Sequence, residues 1–533
     1  MTEVIDWDAL AARVLANFTA TGQWYLDDAP PSPTPEVDWN ALAAQVLATF
    51  QATGQWYVTP PVSLPPALPD FVFAANDLTH GTEPWVSDGT EGGTRLLVDL
   101  NPGGEGSGFY FSANSLRYGV PAFVPTASGA LLFAANDGTH GSEPWVTDGS
   151  AEGTRLLADL VPGAASSFPG LFVPLGTGTV LFQTNDASIG QRFWLTDGTA
   201  AGTREAPQFE TGNAAIGAGD FTDLGGGAVL FITVADLRLA RLDSPGSDLV
   251  HRFSDSPFNA SLGFLASLGD GRALFRADDG VHGIEPWITD GTAAGTHLLG
   301  DLAPGSDGSF AAGFDALGDG RAFFSAFDAA HGRELWITDG TEAGTRLLDD
   351  IHPGQPGNSF PALVPIGGGR VVFSADDGVH GEEPWVTDGS VAGTMLLRDI
   401  AEGPVQAGGP GVPSLGNSFP GGFTPLGEGR ALFSAFEPTH GQELWVTDGT
   451  PGGTSLVLDL LPGTGSGSPR DLSAVGNGWV AFTANDGVAG AEPWISDGSA
   501  SGTFRLADII PGAVGSDALG FAPLPTVAHL LIG

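Results

Sequence analysis

The chain has 533 residues, with 62 acidic against 19 basic side chains, all of the latter arginine, and a formal net charge of −43. Charge of this sign and size repels phosphate backbones and anionic lipid, which excludes nucleic-acid binding as an expectation, and no apolar run reaches the roughly 18 residues that a membrane span needs. With no cysteine there is no disulfide framework or thiolate site, and with 81 glycines, 40 prolines and 42% hydrophobic residues the chain is turn-dense but core-forming.

Residues 1–60 stand apart from the rest. Ile5–Tyr25 recurs as Val37–Tyr57, offset by 32 residues. Asp6 and Asp38 sit at N-cap positions, Trp7, Leu10, Val14 and Phe18 follow helical spacing, as do Trp39, Leu42, Val46 and Phe50, and Gly22 and Gly54 stop each pattern. The spacing predicts two short amphipathic helices joined by the stiff Asp27–Glu36 spacer. Neither can bury its apolar stripe alone, so Trp7, Leu10, Phe18, Trp39, Leu42 and Phe50 are expected to dock on another copy of the chain or on a cell-surface protein or glycan, the alternative being that the helices pack on each other or on the array. A second proline-rich stretch, Thr59–Pro69, leads into an array that occupies 61–533.

The array repeats A-x-D-x-x-H-G-x-E-P-W-V-T-D-G-T-x-x-G-T-x-L-L-x-D-L. Tryptophans mark its copies at Trp85, Trp145, Trp194, Trp287, Trp336, Trp385, Trp445 and Trp494. The interval of 93 residues after Trp194 holds a degenerate copy with Ala240 at the tryptophan position, making nine units. Units of roughly 40–50 residues with four short apolar stretches predict blades of an all-β propeller. Nine blades are expected, with eight and a collapsed fourth unit as the alternative. In the eighth unit the strands are expected at 421–427, 430–436, 443–449 and 454–460. The array starts at a second strand, Asp70–Asp77, and ends with Gly520–Gly533, so the terminal segment is expected to complete the first blade near Phe71–Ala75.

Two motifs recur in nearly every unit. The T-D-G-T-x-x-G-T hairpin carries Asp148, Asp339, Asp388 and Asp448 among nine equivalent aspartates, and Asp-Gly is turn chemistry. Calcium at these loops is a possible cofactor, although the paired-acid density of a dedicated calcium loop is missing. The corner A-x-D-x-x-H-G-x-E-x-W places Asp137, His140, Glu143 and Trp145 together, with copies at Asp279–Trp287 and Asp377–Trp385. This corner resembles the tryptophan-docking motif of quinoprotein dehydrogenases, which implies a tryptophan packed between blades and an aspartate pinning the corner. It does not imply quinone chemistry, because the family's motif lysine has no counterpart here. The histidines His80, His140, His282, His331, His380 and His440 all fall at this corner, where hydrogen bonding is expected ahead of metal binding. Symmetry is broken by insertions within Asn101–Pro121 and Ala401–Pro420, and the first supplies Phe109, Tyr110, Phe111 and Tyr118 as a candidate binding surface.

His331–Ile351, "HGRELWITDGTEAGTRLLDDI", resembles the consensus of bacterial ELWxxDGT-repeat, or hyalin-like, proteins, over roughly Phe71–Ile510. The resemblance implies an extracellular or surface setting. With no basic, apolar signal at the N-terminus, export without a cleaved signal is expected. No nucleophile–base constellation or phosphate loop stands out. The sequence therefore reads as a non-enzymatic extracellular binding or structural protein, surface-associated or self-assembling. The alternative is a glycan-active hydrolase or lyase with a carboxylate site in the propeller channel, which requires one blade to carry acids or a tyrosine absent from the equivalent places elsewhere; the four tyrosines, Tyr25, Tyr57, Tyr110 and Tyr118, all lie outside the expected blade strands.

Overall fold

A computed structural model describes residues 68–103, 106–108, 122–186, 190–209, 219–254, 261–306, 308–354, 363–403 and 416–525. These belong to one compact unit, 68–533. The twin segments of residues 1–60 lie outside the described residues, as does their expected helicity.

Nine four-stranded antiparallel sheets follow one another along the described chain. Each is a meander in which strands a, b, c and d pair with their neighbours in chain order, a blade of the expected kind. In the eighth, the strands are Gly421–Gly427, Arg430–Glu437, Gly441–Thr447 and Ser455–Leu458, within two residues of the sequence expectation at each boundary. The fourth unit is not collapsed. Despite its missing tryptophan it forms a full sheet from Gly219–Gly225, Ala228–Ile232, Asp236–Arg241 and Ser247–Arg252. The eight-bladed alternative is thereby set aside. Strands need alternation and β-branched or aromatic residues, and this unit keeps both in "AVLFI" and "DLRLAR".

The ring closes through the C-terminal segment. Leu519–Pro523 pairs antiparallel with Phe71–Asn76, setting Phe71 opposite Pro523 and Val72 opposite Ala522. The first blade therefore takes its innermost strand from the far end of the chain. The a strands of successive blades lie against one another around the axis, as Gly421–Gly427 does against Arg470–Gly476 and Arg470–Gly476 against Leu519–Pro523.

The core lies between blades. Trp145 of the second blade joins Val86, Leu97 and Leu100 of the first, and Trp336 of the sixth joins Ile288 and Leu299 of the fifth. Each buried side chain of this size contributes roughly 1.5–3 kcal/mol. Polar clasps add to the packing. The Arg370 guanidinium donates to the Asp448 carbonyl of the next blade at 2.7 Å, and Arg430 donates to the Asp497 carbonyl at 3.1 Å.

Candidate active site on the innermost strands

Two features recur on the face where strand b turns into c and strand d crosses to the next a. At the corner, Asp137 Oδ1 accepts the backbone N–H groups of Thr139 and His140 at 2.8 Å, and Asp137 Oδ2 lies 2.7 Å from His140 Nδ1. Asp77–His80, Asp279–His282, Asp328–His331 and Asp377–His380 repeat the arrangement, and Glu437 takes the aspartate's place beside His440. The aspartate pins the corner, and its hydrogen bond raises the histidine above its ordinary pKa. Behind the corner, the glutamate of E-P-W is buried and reaches across the crossover. Glu143 accepts from Leu160 N at 3.0 Å, Ser167 N at 2.9 Å and Ser167 Oγ at 2.7 Å. Burial nonetheless pushes these carboxyls up, to about 7 at Glu83, Glu334 and Glu383.

The opposite hairpins carry the Asp-Gly turns. Asp148 Oδ1 accepts from Ser150 N and Ser150 Oγ at 2.9 and 2.7 Å, and Asp339, Asp388 and Asp448 do the same with Thr341, Ser390 and Thr450. These contacts hold the carboxyls of Asp148, Asp339 and Asp388 below the usual range. Of the repeat tryptophans, Trp145, Trp287, Trp336, Trp445 and Trp494 are buried, and Trp85, Trp194 and Trp385 are partly buried. Among the described residues no group of three or more His, Asp or Glu side chains could hold a metal ion. The insertion residues Phe109, Tyr110, Phe111 and Tyr118 lie outside the described residues, as do Trp7, Leu10, Phe18, Trp39, Leu42 and Phe50.

All of these features obey the repeat. One group does not. In strand a, the residue opposite the middle of the L-F core of strand b is Ala522, Val124, Val173, Thr222, Ala266, Asp315, Val364, Thr424 and Ser473 in blades one to nine. Asp315, in strand Ala312–Ala316 of the sixth blade, is the one acid in that column. Burial raises its carboxyl to about 6, against a hydrogen bond from the backbone of Leu363 on the next blade. A second innermost carboxyl, Asp471 in strand Arg470–Gly476, is also raised by burial, with the Arg470 charge opposing. Sequence reasoning missed both. The signal was present as a lone acid in an apolar-to-small column, but strand a carries the weakest motif of the four.

No family model and no curated relative matches the chain. Solved structures do. A puromycin hydrolase matches with a TM-score of 0.35 and 15% identity, covering 64% of this chain and 53% of that one. A prolyl endopeptidase studied for inter-domain dynamics matches with a TM-score of 0.37 and 12% identity, covering 69% and 52%. Prolyl oligopeptidase B from Galerina marginata matches with a TM-score of 0.39 and 12% identity, covering 63% and 49%. The chain thus spans about half the length of the structures it matches. The expectation of a non-enzymatic binding or structural protein is corrected here to the extent that the matched structures are named as a hydrolase and peptidases. A likeness this remote says nothing of the reaction, so the hydrolase alternative is taken up on the geometry of Asp315.

Proposed function

We propose that this chain is a hydrolase built on the propeller, with Asp315 on the sixth innermost strand as its acid–base group. The observation that carries the reading is the broken symmetry: among nine equivalent positions only this one bears a carboxyl, and burial holds that carboxyl near pH 6. A general acid or base works best with a pKa near the working pH. Below about 6 Asp315 can protonate a leaving group; above it, it can take a proton from water. A purely structural carboxyl in this column would be expected to recur, as the corner aspartates and buried glutamates do. The repeat resemblance supports an extracellular setting for this activity.

The test is a panel of peptide, glycan and ester substrates presented to the protein and to Asp315→Asn. A fall in kcat/KM of roughly 10²–10⁴ is expected for the variant. The wild-type kcat/KM should show an ionisation near pH 6 that the variant lacks. Equal turnover by Asp315→Asn, or no turnover of any class, overturns the reading.

A further inference from the structure

The sixth blade departs from the repeat at a second place. In the eight blades that keep the tryptophan, the residue after the corner glycine stands at the start of strand c. It is neutral in blades one, two, three, five, eight and nine, glutamate (Glu382) in the seventh, and arginine, Arg333, in the sixth. Arg333 and Asp315 lie on one face of their blade. Asp315 stands opposite Phe323 and Arg333 opposite Phe327, and Phe323, Ser325 and Phe327 alternate onto the same side of strand b. That side meets the seventh blade, where Phe323 packs with Leu363 and Val371.

The guanidinium of Arg333 is fixed along one edge and open along the other. Its Nη1 donates to the Phe310 carbonyl at 3.1 Å and to Ser325 Oγ at 3.2 Å, which sets the plane of the group. Its Nε and Nη2 donate to nothing among the described residues. No acid pairs with it there either: burial alone acts on the group and lowers its pKa. Other arginines of the array are matched by acids, as Arg272 is by Asp270 and Arg321 by Asp319, or tie blades together, as Arg370 does. A half-buried charge with an unused donor edge costs free energy until something accepts from that edge. A chain with 62 acidic residues had the means to place an acid there and does not. Arg333 and Asp315 both stay partly exposed, so a ligand can reach them.

The open edge selects its occupant. The Nε and Nη2 donors of a guanidinium run parallel and match the two oxygens of a carboxylate. The net charge of −43 repels a dianion or a polyanion and tolerates a single negative charge best. The guanidinium reaches back to Ser325, two residues from the Phe323 level of Asp315, so the two groups stand about 7 Å apart along the strand. We propose that Arg333 anchors a lone carboxylate of the substrate and thereby sets the bond to be cleaved beside Asp315. The substrate class is a monoanionic molecule or chain end with one free carboxylate. That this ligand is a substrate rests on the hydrolase reading; that it binds does not. A uronic-acid sugar and a peptide C-terminus carry the same group, and the experiment separates them.

The experiment titrates the full chain calorimetrically, at about 50 mM salt, with glucuronate and N-acetylglycine and with their neutral amides, glucuronamide and N-acetylglycinamide. One carboxylate should bind at least about tenfold more tightly than its own amide, and which one does so assigns the sugar or the chain end as the source. Arg333→Gln should erase that preference while binding the amides as the parent does. Arg333→Lys, which keeps the charge and loses the parallel donors, should retain part of it, with near-UV spectra of both variants matching the parent. Carboxylates that bind no better than their amides, or a preference that survives in Arg333→Gln, overturn the proposal. Turnover of p-nitrophenyl glucuronide and glucoside, and of an N-acyl dipeptide with a free or an amidated C-terminus, separates the two readings. Arg333→Gln should raise KM for the carboxylate-bearing member at least about tenfold with kcat held within about threefold, and Asp315→Asn should lose kcat yet keep the carboxylate preference in binding. If the carboxylate preference is seen and no substrate is turned over, the anchor stands and the hydrolase reading falls; if substrates are turned over without regard to their carboxylate or to Arg333, hydrolysis stands and the anchor falls.

Discussion

At the scale of the residue, the repeat letters have separable physical reasons. The Asp-Gly pair was legible as a turn, but the second glycine of T-D-G-T-x-x-G-T was not, because its reason is a contact rather than a dihedral angle. A Cβ at Gly153 would overlap the Asp148 carboxylate, and Gly344 and Gly453 stand in the same relation to Asp339 and Asp448. Tryptophan is explained by packing. Trp445 is 2% exposed and lies with Ile400 of the preceding blade and Phe433 of its own. Trp445→Ala is expected to cost about 3–5 kcal/mol. Trp445→Phe should cost less than that, since the buried indole Nε1 has no hydrogen-bond partner among the described residues. Urea unfolding of both variants measures the difference. The exposed phenylalanines in the left-handed region, such as Phe310 at φ 51°, predict the opposite sign. A left-handed L-residue costs roughly 1–2 kcal/mol and glycine loses roughly 0.5–1 kcal/mol in chain entropy. Phe310→Gly should therefore stabilise the fold by about 0.5–1 kcal/mol, and a marked loss in urea unfolding would mean that the ring is held by packing.

At the scale of the element, the crossover between blades is held by a buried carboxyl. Glu383 accepts from Ile400 N at 3.0 Å, Ala401 N at 3.2 Å and Ser418 Oγ at 2.6 Å, and Asp399 nearby raises it further. Burial is the larger effect and lifts the group from 4.5 to about 7, as it does for Glu83 and Glu334. The sign follows from linkage: a carboxyl whose folded pKa lies above its unfolded value adds stability when protonated, and that stability is lost as pH rises through the folded value. The corner histidines, raised by their carboxylates, push the same way above pH 6.5. The melting temperature should therefore fall as pH rises from about 5 to about 8, and Glu383→Gln should flatten part of that slope whatever it does to the absolute value. A melting temperature that climbs over this range would show that the hydrogen bonds to these carboxylates outweigh their burial. Strand order and boundaries were legible because alternation and turn residues set them locally. The glutamate's reach to a serine 24 or 35 residues on was not, because no local pattern encodes it.

At the scale of the whole molecule, repetition made the ring legible and hid the candidate site. Nine near-identical sentences specify a blade each, and mismatched ends specify how the first and last must join. What breaks the symmetry sits in the least patterned strand, so Asp315 did not show against the motif. Closure is the feature on which the remaining prediction turns. Phe521 is 3% exposed, with its ring stacked on Phe73 at 5.3 Å and edge-on to Phe71 at 6.2 Å. Phe521→Ala should cost about 3–5 kcal/mol, a core loss exacted at the junction of chain ends. Removing residues 519–533 should do more, because it strips the first blade of a strand and leaves Phe71–Asn76 as an unpaired edge flanked by bared rings. An edge of that kind recruits strands from other copies. Light scattering of the truncated chain should show concentration-dependent oligomers larger than those of the full chain, and a peptide spanning 515–525 added in trans should return it toward the size of the full chain. If the truncated chain keeps the size of the full chain with an unchanged melting temperature, the terminal strand is dispensable, and the blade-to-blade tryptophan packing alone holds the ring.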